Sequence, residues 1–449
     1  MSSAMSVQTL NHHQHGAISH HHVHQIGAQT PNNARPANSI VWETLVRWLS
    51  SRDSDSDWWW KTTGKQLVTI LADGGYNLNQ QYEALLFHHQ AVVSRLGPKP
   101  ISLQPQWRSF MTDDYSPIEY SWKWGMGSDP PDVRYGIEAI GSKAGTMLDP
   151  LNQSATRDLV HQLSLSMPGL DLTWFHHFNG VLFGPGSSMA SSPKLAGSST
   201  MFLAFEMVRS QMSVKAYFIP IDTPEMSAAD QILAAIKAAG DSHLDAIAKM
   251  ESYLLNDAHG STLTPFMIGI DCVNPCQSRL KIYVRSPRTS FDFVRNVMTL
   301  GGLRSGLDDV SEQFHDLWKL TLDLDPSFPS SEELPNRQHT TSGTCFYFDV
   351  APHSSVPDVK AYIPVRHYAK SDRQVGQGLI KFLEKHGRAD YAQKYMHAVE
   401  SLATTDGIDA STGIQTYVSC AYQKNQVSMT SYLSPQMYHP ARWSSPLHS

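Results

Sequence analysis

The 449-residue sequence has only four cysteines, Cys272, Cys276, Cys345 and Cys420. That is too few for a disulfide framework in a chain of this length. Cys272 and Cys276 have no second Cys/His pair at zinc-site spacing, so no metal is expected there. No run of about 18 apolar residues occurs, which excludes a transmembrane helix. The start of the chain lacks the apolar stretch of a secretory leader, and a reducing cytoplasm is the expected compartment. Positive charge is not in excess either. A formal net charge of −6 excludes bulk attraction to nucleic acid or to an anionic membrane, so any anion site must be a local concentration of cations.

What is present is the composition of a globular protein, 41% hydrophobic and 17% charged. Length alone suggests about three average domains, although a barrel can run this long as one. Residues 1–37 carry seven histidines among Gln, Asn, Ser and Ala and are expected to form a disordered His-rich tail; residues 38–449 are expected to form a single domain. Asp53, Asp55 and Asp57 precede Trp58-Trp59-Trp60, where capping and acid in a first helical turn explain them better than Mg²⁺ ligation. Helices are predicted near 58–72 and 78–96, the second stopping at Gly97-Pro98.

The most informative stretch is Arg279-Leu280-Lys281-Ile282-Tyr283-Val284-Arg285, which alternates polar and apolar with the period of a half-buried strand. Arg279, Lys281, Tyr283 and Arg285 share one face, Leu280, Ile282 and Val284 the other. Lys-x-Tyr recurs as Lys215-Ala216-Tyr217 and Lys360-Ala361-Tyr362, a pattern of internal repetition. Cations in a row on one face repel one another; turned inward, they require an anion.

Strand pairs are predicted near 117–140, 200–220, 263–285, 343–366 and 414–434. Helical stretches fall near 150–166, 171–180, 225–255, 288–300, 308–322 and 372–404. Helices need an apolar surface to lie on, so they cover the apolar strand faces from outside and the polar faces turn inward. The expected fold is α+β: a ten-stranded antiparallel β-barrel with a solvent-filled centre, surrounded by helices as repeated αββα units. Trp122 and Trp124 are out of phase with Glu119 and are expected to pack under helices. Asp113 and Asp114 are read as a turn before Pro117.

The inward positions collect Arg134, Lys215, Arg279, Lys281 and Lys360 with Tyr217, Tyr283, Tyr362, Tyr417 and Tyr432, and Glu119 on the first strand. Lys and Arg neutralise a diphosphate while phenols donate hydrogen bonds to it. Aromatic faces stabilise an organic cation by roughly 0.5–2 kcal/mol for each ring. Together these describe the ionisation of an allylic diphosphate. Glu119 could accept a hydrogen bond from an indole N–H or a phenol O–H and enrich the attacking ring in electrons.

Met111-Thr112-Asp113-Asp114 through Ser116-Pro117-Ile118-Glu119, Val133-Arg134-Tyr135, the Lys-x-Tyr strands, Arg279-x-Lys281-x-Tyr283 and the Tyr417 and Tyr432 strands together resemble the fungal aromatic prenyltransferases of the dimethylallyltryptophan synthase family over residues 40–440. The resemblance implies the αββα barrel and transfer of a dimethylallyl group from dimethylallyl diphosphate to an indole-containing or related aromatic acceptor, in secondary metabolism. It implies that Glu119 contacts the acceptor, that Arg134, Lys215, Arg279, Lys281 and Lys360 hold the diphosphate, and that the five tyrosines shield the cation. It implies no required cofactor: Mg²⁺ is not essential, in keeping with the absence of an Asp-Asp-x-x-Asp motif. A homodimer is an open expectation.

Two positions depart from the family pattern. Gln423, with Lys424 beside it, stands where many members have an Arg in the donor site, which removes one cation and shifts donor preference. Thr200-Met201-Phe202 lacks the Lys that some tryptophan-specific members use as proton acceptor. Two alternatives stay open: the same chemistry on a phenolic or polyketide-derived ring, and a non-catalytic barrel that carries an aromatic metabolite.

Overall fold

Among the described residues ten strands pair in chain order, each antiparallel to the next, and the last returns to the first to close a barrel. The computed structural model describes residues 37–187, 197–209, 211–240, 243–423 and 426–442. The expected His-rich tail and Lys424 lie outside the described residues. The strands are β1 (Ile118–Lys123), β2 (Asp132–Ile137), β3 (Met201–Val208), β4 (Gln211–Phe218), β5 (Thr264–Asp271), β6 (Leu280–Ser286), β7 (Thr344–Val350), β8 (Asp358–Ile363), β9 (Gln415–Gln423) and β10 (Gln426–Leu433).

Helices enter between hairpins. The order begins with α1 (Ala37–Trp48), α2 (Ser54–Trp59), α3 (Lys65–Asp73) and α4 (Leu78–Phe87) ahead of β1. Next come α5 (Ser154–Ser166) and α6 (Thr173–Phe183), then α7 (Ala228–Lys237) and α8 (Leu244–Asn256), then α9 (Phe291–Met298) and α10 (Asp308–Leu322). The short α11 (Val365–Tyr368), α12 (Asp372–Lys385) and α13 (Ala392–Leu402) precede the last hairpin. The barrel therefore has two unlike ends. One carries the hairpin turns; the other carries the crossovers to and from the helices.

Local chemistry explains the element boundaries. Asp53 is the N-cap of α2 and accepts hydrogen bonds from the backbone N–H groups of Asp55 and Ser56, as the sequence suggested. Asn77 and Gln80 form a capping box at the start of α4. The single helical stretches expected over 225–255 and 372–404 each split in two. Gly240 (φ +118°) and Gly387 (φ +65°) take the left-handed backbone that ends the first helix of each pair.

The core lies outside the barrel wall. Val133, Tyr135 and Ile137 of β2, Leu203 and Phe205 of β3, and Leu280, Ile282 and Val284 of β6 are all buried beneath helices. Trp122 is fully buried and its ring meets Tyr395 of α13 edge-on at 5.6 Å, so the strand phase read from the sequence holds. Trp122→Ala should lower unfolding free energy by about 3–5 kcal/mol, as large-to-small changes in packed cores do. Trp122→Phe should cost less, because the indole Nε1 has no hydrogen-bond partner among the described residues. Urea unfolding of both variants measures the difference.

Candidate active site

Because the apolar faces are spent on the outer core, the lumen receives the alternate residues. They enclose a cavity of about 440 Å³, within the range of small-molecule sites. Its lining is layered along the barrel axis.

The layer nearest the hairpin turns is ionic. Arg134 Nη1 and Lys215 Nζ each lie 2.6 Å from Glu206 Oε1. Lys281 Nζ lies 2.8 Å and Lys215 Nζ 3.7 Å from Asp271 Oδ1. Burial would raise the Glu206 carboxyl, but Arg134 and Lys215 overcome it and hold the group at about 2. Asp271 is likewise held well below the carboxylate range by Lys281, Lys215 and Arg279, against burial. Lys360 is different: among the described residues its Nζ meets only Thr430 Oγ1 at 3.3 Å and the Tyr347 ring at 6.0 Å. Burial, with Arg134 and other cations adding to it, lowers this ammonium to about 7. Lys215 is lowered to about 8 by burial and then by Lys281.

The middle layer is phenolic. Tyr283 is surrounded by Tyr347, Tyr217 and Tyr362 at ring separations of 5.1, 6.0 and 6.2 Å. Tyr362 in turn meets Tyr432 at 5.5 Å and Tyr417 at 5.8 Å. Burial raises all of these phenols above their usual range, so they remain hydrogen-bond donors. Phe202 lies flat on Tyr217 at 4.3 Å.

The third layer faces the crossover end. Glu119 lies deep in the protein with its carboxylate open to the cavity and accepts from Thr416 Oγ1 at 2.8 Å. Burial raises its carboxyl to about 8, the Thr416 hydrogen bond opposing only part of the shift. Arg285, Phe110, Phe266 and Cys345 complete this layer. At the mouth Asp113 pairs with Arg366 Nε at 3.0 Å and with His367, while Asp114 does the work of a turn, accepting from Thr112, Ser116 and the Tyr438 backbone. The turn reading thus holds for Asp114, whereas Asp113 lines the cavity; Asp113, His339 and His367 bring potential ligand atoms within 4.8 Å of one another.

The structure brings together Glu119, Arg134, Lys215, Lys281, Lys360, Tyr217, Tyr283, Tyr362, Tyr417 and Tyr432 around one cavity. Two of the sequence-derived residues stand apart. Arg279 precedes β6 at the turn end, is partly exposed, and is held by Asp271 (3.2 Å) and Asp349 (3.0 Å) without lining the cavity. Gln423 ends β9 at the same end, with its side chain exposed. Sequence reasoning missed Glu206, Asp271, Asp349 and Tyr347. Their signal was present: Phe202-Ala204-Glu206 and Cys345-Tyr347-Asp349 keep the inward phase of their strands. The inference that inward cations require an external anion was therefore incomplete, since the chain's own carboxylates hold most of them.

Residues 55–398 match the family model described as tryptophan dimethylallyltransferase. The prenyltransferase anuH of Penicillium roqueforti is 37% identical over 90% of this chain and 94% of its own length. Xanthone prenyltransferase B of Emericella nidulans is 32% identical over 90% of this chain and 92% of its own. Among solved structures, AnaPT from Neosartorya fischeri superposes with a TM-score of 0.75 at 23% identity, covering 88% of this chain and 97% of that one. NotF in complex with brevianamide F and DMSPP gives 0.74 at 22%, covering 89% and 98%. The chain belongs to the tryptophan dimethylallyltransferase family. It is a prenyltransferase whose reaction is prenylation of an aromatic acceptor, and its closed barrel is the fold of these relatives.

The layering depends on one glycine. A Cβ at Gly269 of β5 would stand 2.8 Å from two ring atoms of Tyr217. Gly269→Ala should displace that ring, cost about 1–3 kcal/mol as overpacking does, and lower kcat/KM for the prenyl donor. Thermal unfolding and donor titration measure the two effects.

Proposed function

We propose that this chain transfers a dimethylallyl group from dimethylallyl diphosphate to an indole-containing or related aromatic acceptor without a required metal ion. The observation that carries the reading is the order of the layers: cations, then phenols, then a carboxylate. Arg134, Lys215, Lys281 and Lys360 hold the diphosphate, and Arg279 supports them through Asp271. The C1–O bond breaks and its electron pair leaves on the diphosphate, whose charge the cations neutralise. The allyl cation forms among the tyrosine faces, where cation–π attraction stabilises it. The acceptor ring lies between the phenols and Glu119. Its π electrons form the new C–C bond, and the ring carbon then loses its proton to a base. Glu119, ionised, accepts a hydrogen bond from the acceptor's N–H or O–H and raises the ring's nucleophilicity.

Among the described residues Glu206, Asp271 and Asp349 are each engaged by Lys or Arg, which supports charge neutralisation by side chains rather than by Mg²⁺. Among the described residues no helix is long and apolar enough to cross a membrane; a cytoplasmic setting is proposed from the four unpaired cysteines. A hydroxylated aromatic acceptor is the second reading; it is favoured by the absence of a lysine from Thr200-Met201-Phe202 and by the likeness to xanthone prenyltransferases. Incubation of the purified protein with dimethylallyl diphosphate, EDTA and a panel of indoles and phenols tests the proposal. Failure to release diphosphate with every acceptor in the panel would overturn it.

Two outcomes are specific to this geometry. Activity should rise with pH through about 8 as Glu119 ionises, and the rise should vanish in Glu119→Gln along with most of kcat, while donor binding persists. Lys360 is mostly uncharged above its free-protein value of about 7, and an arriving diphosphate stabilises its charged form. Donor binding at pH 8 should therefore take up protons, seen by calorimetry in buffers of different ionisation enthalpy, and Lys360→Met should cut that uptake to the smaller share of Lys215.

A further inference from the structure

Arg285 is a cavity cation that the ionic layer does not use. It lies four residues beyond Lys281 on β6, about 13 Å along the strand, and so faces the crossover end on the far side of the tyrosines. Across the strand pair it opposes Cys345. Its guanidinium stacks over the Phe266 ring at 3.7 Å and lies 5.6 Å from the Phe110 ring. Among the described residues it forms no ion pair and no hydrogen bond. The other cavity arginines, Arg134 and Arg366, each have a carboxylate at 3.0 Å or less.

The aromatic bed is built by a bulge. The β5–β6 register passes from Pro265↔Val284 to Met267↔Tyr283, leaving Phe266 as the extra residue. A bulge re-aims the side chain it carries, and here it puts a ring beneath the guanidinium. A cation fixed flat on an aromatic face with its N–H groups free presents a planar fork that matches paired oxygens. Leaving such a group open in a partly desolvated cavity is unfavourable unless a ligand completes it.

We propose that Arg285, set between Phe266 and Phe110, is the specificity-determining residue for an acidic oxygen on the aromatic acceptor, a carboxylate or an ionised hydroxyl. This rests on the prenyl-transfer reading for the direction in which the acceptor lies. With the diphosphate at Lys281 and the allyl chain among the tyrosines, an acceptor ring beside Glu119 directs its substituent to Arg285. Cys345, opposite Arg285 on the lining of β7, is a half-buried thiol that desolvation pushes to about 12, and it offers no competing anion.

The test is equilibrium binding to the full-length protein by calorimetry, using acceptor probes that differ only in the acid. Indole-3-acetate against its amide reads the carboxylate; alizarin against its methyl ether reads the acidic phenol. Wild-type protein should bind at least one acid about tenfold or more tighter than its neutral mate, the size of a charge-assisted fork. Arg285→Met should bring that ratio to near one, Arg285→Lys should retain part of it, and dimethylallyl diphosphate affinity should stay within about twofold, as befits a residue remote from the ionic layer. Equal binding of acid and neutral mate in both pairs, no binding of any probe, or a preference that survives Arg285→Met would each overturn the proposal. These binding results are independent of turnover, so a failure of prenyl transfer shows separately as absent diphosphate release.

Discussion

Each strand of this barrel has one apolar face, and the helices bury it on the outside. That single constraint decides the character of the lumen. Leu280, Ile282 and Val284 lie beneath helices, so Lys281, Tyr283 and Arg285 must face the axis. A strand cannot slip by one residue without exchanging those two sets, which fixes the register more firmly than any hydrogen bond. The polar interior follows from the outer core, and the chemistry follows from the polar interior.

An interior lined with cations would be unstable by itself, and the chain meets that with Glu206, Asp271 and Asp349. Four of the five cations share three carboxylates and Lys360 has none among the described residues, so the layer keeps an excess of positive charge without leaving every cation bare. Lys360 is where the excess is most concentrated. The phenols above it act as an insulating layer: neutral, donating and aromatic, between a cationic floor and the carboxylate of Glu119. The two charged layers are thereby kept from pairing with each other, which would close the cavity to both substrates.

Much of this was legible in the sequence because period-two alternation survives in most of the strands. The five hairpins, the inward phase of the Lys-x-Tyr pairs and the outward phase of Trp122 all follow from it. The carboxylates were not read, although they stand in phase, because an isolated Glu206 or Asp349 looks like any solvated acid until a neighbouring strand brings Arg134 or Arg279 against it. Tyr347 was hidden for a related reason: Cys345-Phe346-Tyr347-Phe348 is apolar on both faces by composition. Arg279 and Gln423 show what alternation leaves open. Both keep the correct phase but lie where the strands reach the hairpin turns, and alternation gives a side chain's face without giving its depth. The bulge at Phe266 breaks the period itself, and only the pairing of β5 with β6 reveals it.

The barrel closes by joining its first strand to its last, Tyr120 pairing with Leu433 and Glu119 receiving its hydrogen bond from Thr416. During synthesis the Glu119 carboxylate that lines the cavity is made early and its partner some 297 residues later. Until the final hairpin leaves the ribosome, β1 is a bare edge and the cavity an open trough. Assembly of the cavity thus waits for the final hairpin, and a chain cut short before Gln415 would carry most residues of the site and no enclosed place in which to use them.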